Sequence, residues 1–176
     1  MTATLYRNGA FEADDWTFVD EETALSEVAT RAVVLTLERL LEDAGDLDEG
    51  VRLAVLVRAG EDINRLAPHL ARLEMVAIDF KAFSDGRGYS SARILRQRMG
   101  FSGEVRAVGD VLLDQIPLMR RVGFDAFAIT HEPTRRALQS GHSTEVPLYL
   151  QPVGGSDEVP AGARAWARRP ANEQQY

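Results

Sequence analysis

Five short apolar runs, Ala32–Leu37, Leu53–Val57, Met75–Phe80, Val105–Val108 and Ala126–Ile129, alternate along the chain with stretches of helical pattern. Runs this short and this apolar suit strands covered on both faces. The helical patterns fall at Glu38–Asp43, Asp62–Leu73, Ser91–Met99, Val111–Val122 and Thr134–Gln139, and a last apolar run lies at Val146–Leu150. Strands alternating with helices make right-handed βαβ units. The expected fold is therefore α/β, with a mainly parallel sheet of about five or six strands built from βα repeats. About six units are too few to close a standard barrel, which leaves an open sheet or an incomplete β/α barrel.

Residues 1–20 read as a small N-terminal hairpin arm. Leu5-Tyr6-Arg7 and Ala10-Phe11 flank Asn8-Gly9, a strong signal for a two-residue turn, and Trp16 and Phe18 pack the arm onto the body. Residues 21–150 form one α/β domain. Residues 151–176 are polar and rich in Gly, Pro and Ala, and read as a poorly ordered tail. Gly100 and Gly123 stand where helix C-caps are wanted, and Asp110 is placed to cap a helix beginning at Val111. Pro117 either kinks that helix or moves its start.

Composition removes whole classes of chemistry. The 176 residues include no cysteine, so there is no disulfide, thiol nucleophile or cysteine-ligated iron–sulfur cluster. His69, His131 and His142 are scattered without a zinc-site spacing, and no metal site is expected. Twenty basic against 27 acidic residues give a net charge of −7, which disfavours nucleic-acid binding but leaves room for a local anion site. Lys81 is the only lysine, so a Schiff-base mechanism runs through it or not at all. No apolar run is long enough to span a membrane, and the first residues lack a secretory pattern; the expected location is the cytoplasm.

In parallel α/β folds, ligands bind where strand C-termini give way to loops. The segment from Asp79 to Arg93 lies at such a place, with about ten residues between strand and helix, longer than usual. Gly86 and Gly88 flank Arg87 and widen its backbone freedom, and Ser90 or Ser91 can cap the following helix. That puts Arg93 in the helix's first turn, where a cation is disfavoured unless an anion offsets it. Asp85, Arg87, Tyr89, Ser90, Arg93 and Gln115 are the candidate anion-binding residues. The competing reading pairs Arg87 and Arg93 with Asp79, Asp85 or Asp110 and makes them purely structural. Asp110, Asp114 and His131, at neighbouring strand ends, are the candidate proton-transfer residues. Tyr89 either offers its hydroxyl to a ligand or covers the core. Arg106, within a strand buried on both faces, needs an acidic partner, and Asp79 is the candidate.

Several of these words occur together in one bacterial family. Asp85-Gly86-Arg87-Gly88-Tyr89-Ser90, Ala92-Arg93, Arg106-Ala107-Val108-Gly109-Asp110-Val111-Leu112, Asp114-Gln115 and Gly123-Phe124-Asp125-Ala126-Phe127 appear in order. From Asp79 to Phe127 the chain resembles a family of unknown function whose members carry the description of an oxidoreductase of sulfite reduction. Their genes typically lie beside those for assimilatory sulfite reductase and adenylylsulfate-type reductases. The match is weaker in the N-terminal third. Three departures stand out: Lys81-Ala82-Phe83 where the family has Pro-Lys-Phe, Val122 where many relatives carry Cys, and Pro117 in place of an aromatic residue.

The resemblance implies a pathway, sulfate assimilation towards cysteine, more than a reaction. Its implied partners are sulfite reductase or an adenylylsulfate-type reductase, together with a small anion such as sulfite, sulfate or a phosphate ester. It transfers no catalytic residues, and neither motif nor resemblance names a cofactor. Six-electron sulfite reduction needs thiols, cluster ligands or a dinucleotide fingerprint, and Gly86-Arg87-Gly88 is only a fragment of the last. The expected role is an accessory protein with an Arg-rich anion-binding edge, not the electron-transferring reductase. The alternatives are a small enzyme acting on a phosphorylated or sulfonated metabolite, an oxidoreductase using a bound cofactor, or a surface for a partner.

Overall fold

The computed structural model describes residues 4–23, 31–43, 45, 50–82, 85–146, 148–150 and 158–170. In chain order the elements are β1 (Thr4–Arg7), β2 (Ala10–Glu12), β3 (Thr17–Phe18), β4 (Ala32–Thr36), α1 (Leu37–Asp43), β5 (Arg52–Val57) and β6 (Leu73–Phe80). Then follow α2 (Arg87–Gln97), β7 (Glu104–Gly109), α3 (Ile116–Val122), β8 (Ala126–Ile129), α4 (Glu132–Gln139), β9 (Tyr149–Leu150), β10 (Glu158–Ala161) and β11 (Arg164–Pro170). The fold is α/β. One sheet has eight strands in the order β2-β1-β8-β7-β6-β5-β4-β3, and a second has three, in the order β10-β11-β9. Strands β3 to β8 run parallel, while the β1–β2 hairpin joins antiparallel to β8.

The strand order forces the large sheet to curl. β2 and β3 are its opposite edges, yet only residues 13–16 connect them. Laid flat, eight strands put those edges about 34 Å apart. The five Cα–Cα steps from Glu12 to Thr17 reach at most about 18 Å. The edges must therefore approach one another, and the crossing segment runs over the concave face. Its side chains are tied there: Trp16 packs with Val34, Ala54, Met75 and Ala77, and Arg52 stacks on the Trp16 ring at 4.7 Å. Asp15 pairs with Arg52 at 2.5 Å and Asp14 with Arg106 at 2.9 Å. This curled sheet is the incomplete barrel of the two expected architectures.

Because consecutive parallel strands are neighbours, right-handed crossovers place the helices on one face. That outer face carries the larger core: Val33, Leu35, Val55, Val57, Val76, Ile78, Phe80, Val105, Phe127 and Ile129, with Leu40, Leu95 and Met119 from the helices. The register puts the other half of each strand inside. Thr36, Leu56, Ala77, Arg106, Ala126 and Arg7 are successive partners across β4, β5, β6, β7, β8 and β1, so they form one inward layer.

The hairpin is as expected, with Asn8 at φ 51° and Gly9 at φ 80°. It is not an appended arm, since Leu5 and Tyr6 are buried and β1 extends the main sheet. The Asp62–Leu73 pattern forms two short 3-10 turns, Ile63–Leu66 and Leu70–Arg72, because Pro68 interrupts it. Pro117 sits in the first turn of α3, so that helix starts at Ile116 and Gln115, not Asp110, occupies its N-cap position. Gly123 ends it in the left-handed region at φ 108°, as expected. Of the polar C-terminal segment, residues 151–157 and 171–176 lie outside the described residues. Residues 158–170 form a hairpin instead of the expected irregular tail.

Candidate functional site at the mouth of the curled sheet

The C-terminal ends of the parallel strands surround one mouth, and there lie Asp85–Ser90, Gly109–Leu112 and Asp114-Gln115 of the words that carry the family resemblance, while Gly123–Phe127 leads into β8 at the opposite end. α2 begins at Arg87, so the connection from β6 is residues 81–86, shorter than the sequence suggests. Phe83 and Ser84 lie outside the described residues. Gly86 and Gly88 both adopt ordinary backbone conformations, and Gly88 has a different reason to be glycine. A Cβ on it would stand 2.6 Å from the Phe80 ring and 3.1 Å from Ile78, so it lets α2 lie flat against β6. Gly88→Ala is expected to cost about 1–3 kcal/mol by overpacking, read from urea denaturation midpoints.

Arg87 is held by its own loop. Its Nε donates to Asp85 Oδ1 at 2.9 Å, its Nη2 to Oδ2 at 2.7 Å, and its backbone N–H to Oδ1 at 3.1 Å. These bonds hold the Asp85 carboxyl down to about 2. The pair is exposed and contributes little to stability, but it fixes the loop. Because the folded value lies below the unfolded one, the pair persists above the ordinary carboxylate range and is lost only as pH falls through about 2. Carboxyl NMR titration should find the Asp85 midpoint there, and Arg87→Ala should return it to the ordinary range near about 3.9.

The other expected anion ligands separate. Arg93 lies in the second turn of α2, not the first, and its exposed side chain donates to Gln97 at 2.9 Å. Ser90 and Ser91 are inside the helix, not at its cap; Ser90 is exposed and Ser91 donates to the Arg87 carbonyl at 3.4 Å. Arg87 and Arg93 therefore share no partner. Tyr89 turns inward, edge-on to Phe80 at 5.4 Å, and hydrogen-bonds Gln115; burial pushes its hydroxyl up. Gln115 is buried and accepts the Leu112 N–H at 2.9 Å. Asp114 is exposed on the same loop.

Asp110 follows β7 and donates its backbone N–H to the Phe80 carbonyl at 2.7 Å. On the neighbouring strand, Thr130 bonds the Gly109 carbonyl at 3.2 Å, and the exposed His131 has Nδ1 2.9 Å from Thr134 Oγ1. Asp110 and His131 thus sit at adjacent strand ends, Asp110 partly buried and His131 exposed, with no hydrogen bond joining them among the described residues.

The residue that sequence reasoning misplaced is Asp79. It is not the partner of Arg106, which is satisfied by Glu104 at 2.7 Å and by both oxygens of Asp14 at 2.9 Å. Asp79 pairs in register with Val108, next to the Phe80–Gly109 pair, and shares the inward phase of Met75 and Ala77. Its carboxyl is partly buried, and no hydrogen bond reaches it among the described residues. Burial pushes it up, opposed by the charges of Lys81 and Arg58. Gly109, at φ +90°, keeps the space beside it clear: a Cβ there would meet Asp79 Oδ1 at 2.7 Å and the Phe80 carbonyl at 2.5 Å. A cavity of about 480 Å³ opens over β4 and β5, lined by Phe18, Val19, Asp20, Glu21, Glu22, Val34, Thr36, Leu56 and Arg58, and Asp79 is not part of its lining. An acidic residue near the end of an otherwise apolar run was the available signal.

The family model described as "Bacterial protein of unknown function (DUF934)" matches residues 54–155, more than half of the 176. The chain belongs to that family. The match runs from within β5 to beyond β9 and takes in Arg58, Asp79 and every one of the words above from Asp85 to Phe127. Among curated proteins and among solved structures, nothing matches. No helix is long and apolar enough to cross a membrane, and no group of three metal-ligating side chains forms, both among the described residues.

Proposed function

We propose that this DUF934 protein is an accessory protein of assimilatory sulfate and sulfite reduction, serving cysteine biosynthesis in the cytoplasm. In this reading it binds a reductase, a sulfur oxyanion or both at the mouth of the curled sheet, and does not itself carry the electrons. The observation that carries it is a coincidence of place: of the words resembling the sulfite-reduction family, Asp85–Ser90, Gly109–Leu112 and Asp114-Gln115 lie at that mouth, in a chain with no cysteine to hold a cluster or a thiol. The internal pairing of Arg87 with Asp85 and of Tyr89 with Gln115 supports a preorganised surface, with little freedom left to those groups. Sulfite reductase and adenylylsulfate-type reductase are the proposed partners.

The test is a clean deletion. Growth on sulfate should fall while growth on cysteine stays normal, and the tagged protein should co-purify with one of the two reductases. Unimpaired growth on sulfate would sink the proposal. A second reading, a small enzyme acting on a phosphorylated or sulfonated metabolite, is favoured by the partly buried carboxyl of Asp79, which takes no hydrogen bond among the described residues and lies near the charges of Lys81 and Arg58.

A further inference from the structure

Strand β1 joins the sheet through a hairpin, without a crossover helix of its own, so α3 and α4 must cover the outer face over it. They leave a gap. A second cavity, of about 230 Å³, lies between α3, the residues that follow α4 and Tyr6 of β1. Leu113, Ile116, Pro117 and Leu138 make its apolar wall, and His142 and Ser143 stand on its polar side. Among the described residues, no carboxylate lines it.

Two polar groups of the lining lack a protein partner. Tyr6 is 8% exposed and packs its ring on Phe11 at 5.1 Å. Its hydroxyl makes no hydrogen bond among the described residues, yet it is not sealed from solvent. Arg120 is partly buried, with its guanidinium 5.9 Å from the Tyr6 ring and 5.8 Å from that of Phe127. It forms no hydrogen bond or ion pair among the described residues, and Glu145, the acid next along the loop, is taken by Arg121 at 2.9 Å. The two rings hold the guanidinium in place and leave its N–H fork unoccupied. A partly buried cation without an acid calls for a counter-charge from elsewhere.

We propose that Arg120 and the Tyr6 hydroxyl bind a small carboxylate with a short apolar tail in this cavity. The guanidinium fork takes both carboxylate oxygens, and the hydroxyl donates to one of them. The tail lies against Leu113, Ile116, Pro117 and Leu138. One guanidinium with hydroxyl donors balances a monoanion, whereas a dianion such as sulfate would stay half uncompensated against an apolar wall. The volume is below the about 300–1,000 Å³ of larger small-molecule sites, which limits the tail to a few carbons. The site lies on the outer face of the sheet, apart from the mouth, and is independent of the accessory reading.

NMR titration of the isotope-labelled full chain at neutral pH and fixed ionic strength tests this with butyrate, its uncharged counterpart butyramide, and inorganic sulfate. Butyrate should bind saturably in the millimolar range, moving the Arg120 Nε–H signal together with the amides of Leu113 and Gly141. Butyramide and sulfate should each bind about tenfold more weakly. Arg120→Gln should weaken butyrate by about tenfold or more, and Tyr6→Phe, which keeps the ring, by about threefold. Arg93→Gln, an exposed cation of α2, is the control for general charge effects and should leave the affinity unchanged. Thermal melts establish that each variant is folded. Should Arg120→Gln fail to fold, Tyr6→Phe and the place of the shifted signals decide. Failure of butyrate to saturate, equal affinity for butyramide or sulfate, or unchanged affinity in either folded cavity variant would overturn the site. So would signals that move only outside the cavity. None of these results touches the accessory reading, which growth and co-purification test without any small ligand.

Discussion

Replacing Arg106 by methionine is expected to lower stability by about 3 kcal/mol, the cost of breaking a salt-bridge network centred on a buried guanidinium. Arg106 is 1% exposed and points into the curled sheet from the middle of β7. Its guanidinium meets Glu104, itself shared with Arg7 at 2.7 Å, and both oxygens of Asp14. Asp14 belongs to the segment that crosses from one sheet edge to the other. Losing Arg106 therefore leaves Glu104 with Arg7 alone, takes away the partner of Asp14 and releases the crossing at the same time. For a domain of this size the melting temperature should drop by roughly 10 °C. Arg106→Lys should recover only part of the loss, because a single ammonium cannot reproduce the forked contacts. Asp14→Asn should cost less than Arg106→Met, since the guanidinium keeps Glu104 and the amide oxygen can still accept a hydrogen bond from it. A loss below about 1 kcal/mol for Arg106→Met would put the network on a par with a surface pair.

Local pattern was enough to read the alternating elements, because each parallel strand is buried on both faces and announces itself as a short apolar run. It was also enough for the Asn8-Gly9 turn and the Gly123 cap, where a positive φ selects the residue. What it missed was set by long-range geometry. That β1 joins β8 depends on which strand edge is free once the sheet has formed, and nothing in Thr4–Arg7 specifies it. The pairing of Arg106 with Asp14 spans 92 positions and becomes visible only when residues 13–16 are seen to cross the concave face. Helix starts were displaced because Ser90 and Asp110 are good caps in isolation, whereas the packing of Gly88 on Phe80 and the position of Pro117 decided where α2 and α3 begin. The site shifted for the same reason. Arg87 was legible as a cation in a glycine-bearing loop, but the bidentate bond from Asp85, two residues earlier, already occupies it. Asp79 looked like a partner for Arg106, since sequence alone could not show that an acid from the N-terminal segment takes that role.

Asp79→Asn is expected to separate stability from function. Burial raises the folded carboxyl above its unfolded value, so ionisation works against the fold. The sign follows from proton linkage: the penalty is absent below the ordinary carboxylate range and fully present once pH has risen through the raised folded value. The amide removes that charge. The variant should melt at or above the wild-type temperature at neutral pH, with the advantage fading on acidification. An acid that costs stability and takes no hydrogen bond among the described residues fits a working site, where stability given up is the ordinary pattern. Asp79→Asn should therefore fold well and fail to work.

Complementation of a deletion strain by Asp79→Asn is the most direct measurement of that claim. The account predicts no rescue of growth on sulfate, normal growth on cysteine, and a soluble variant at least as heat-stable as the wild type. Full rescue on sulfate by the same variant, at the same expression level, would contradict it.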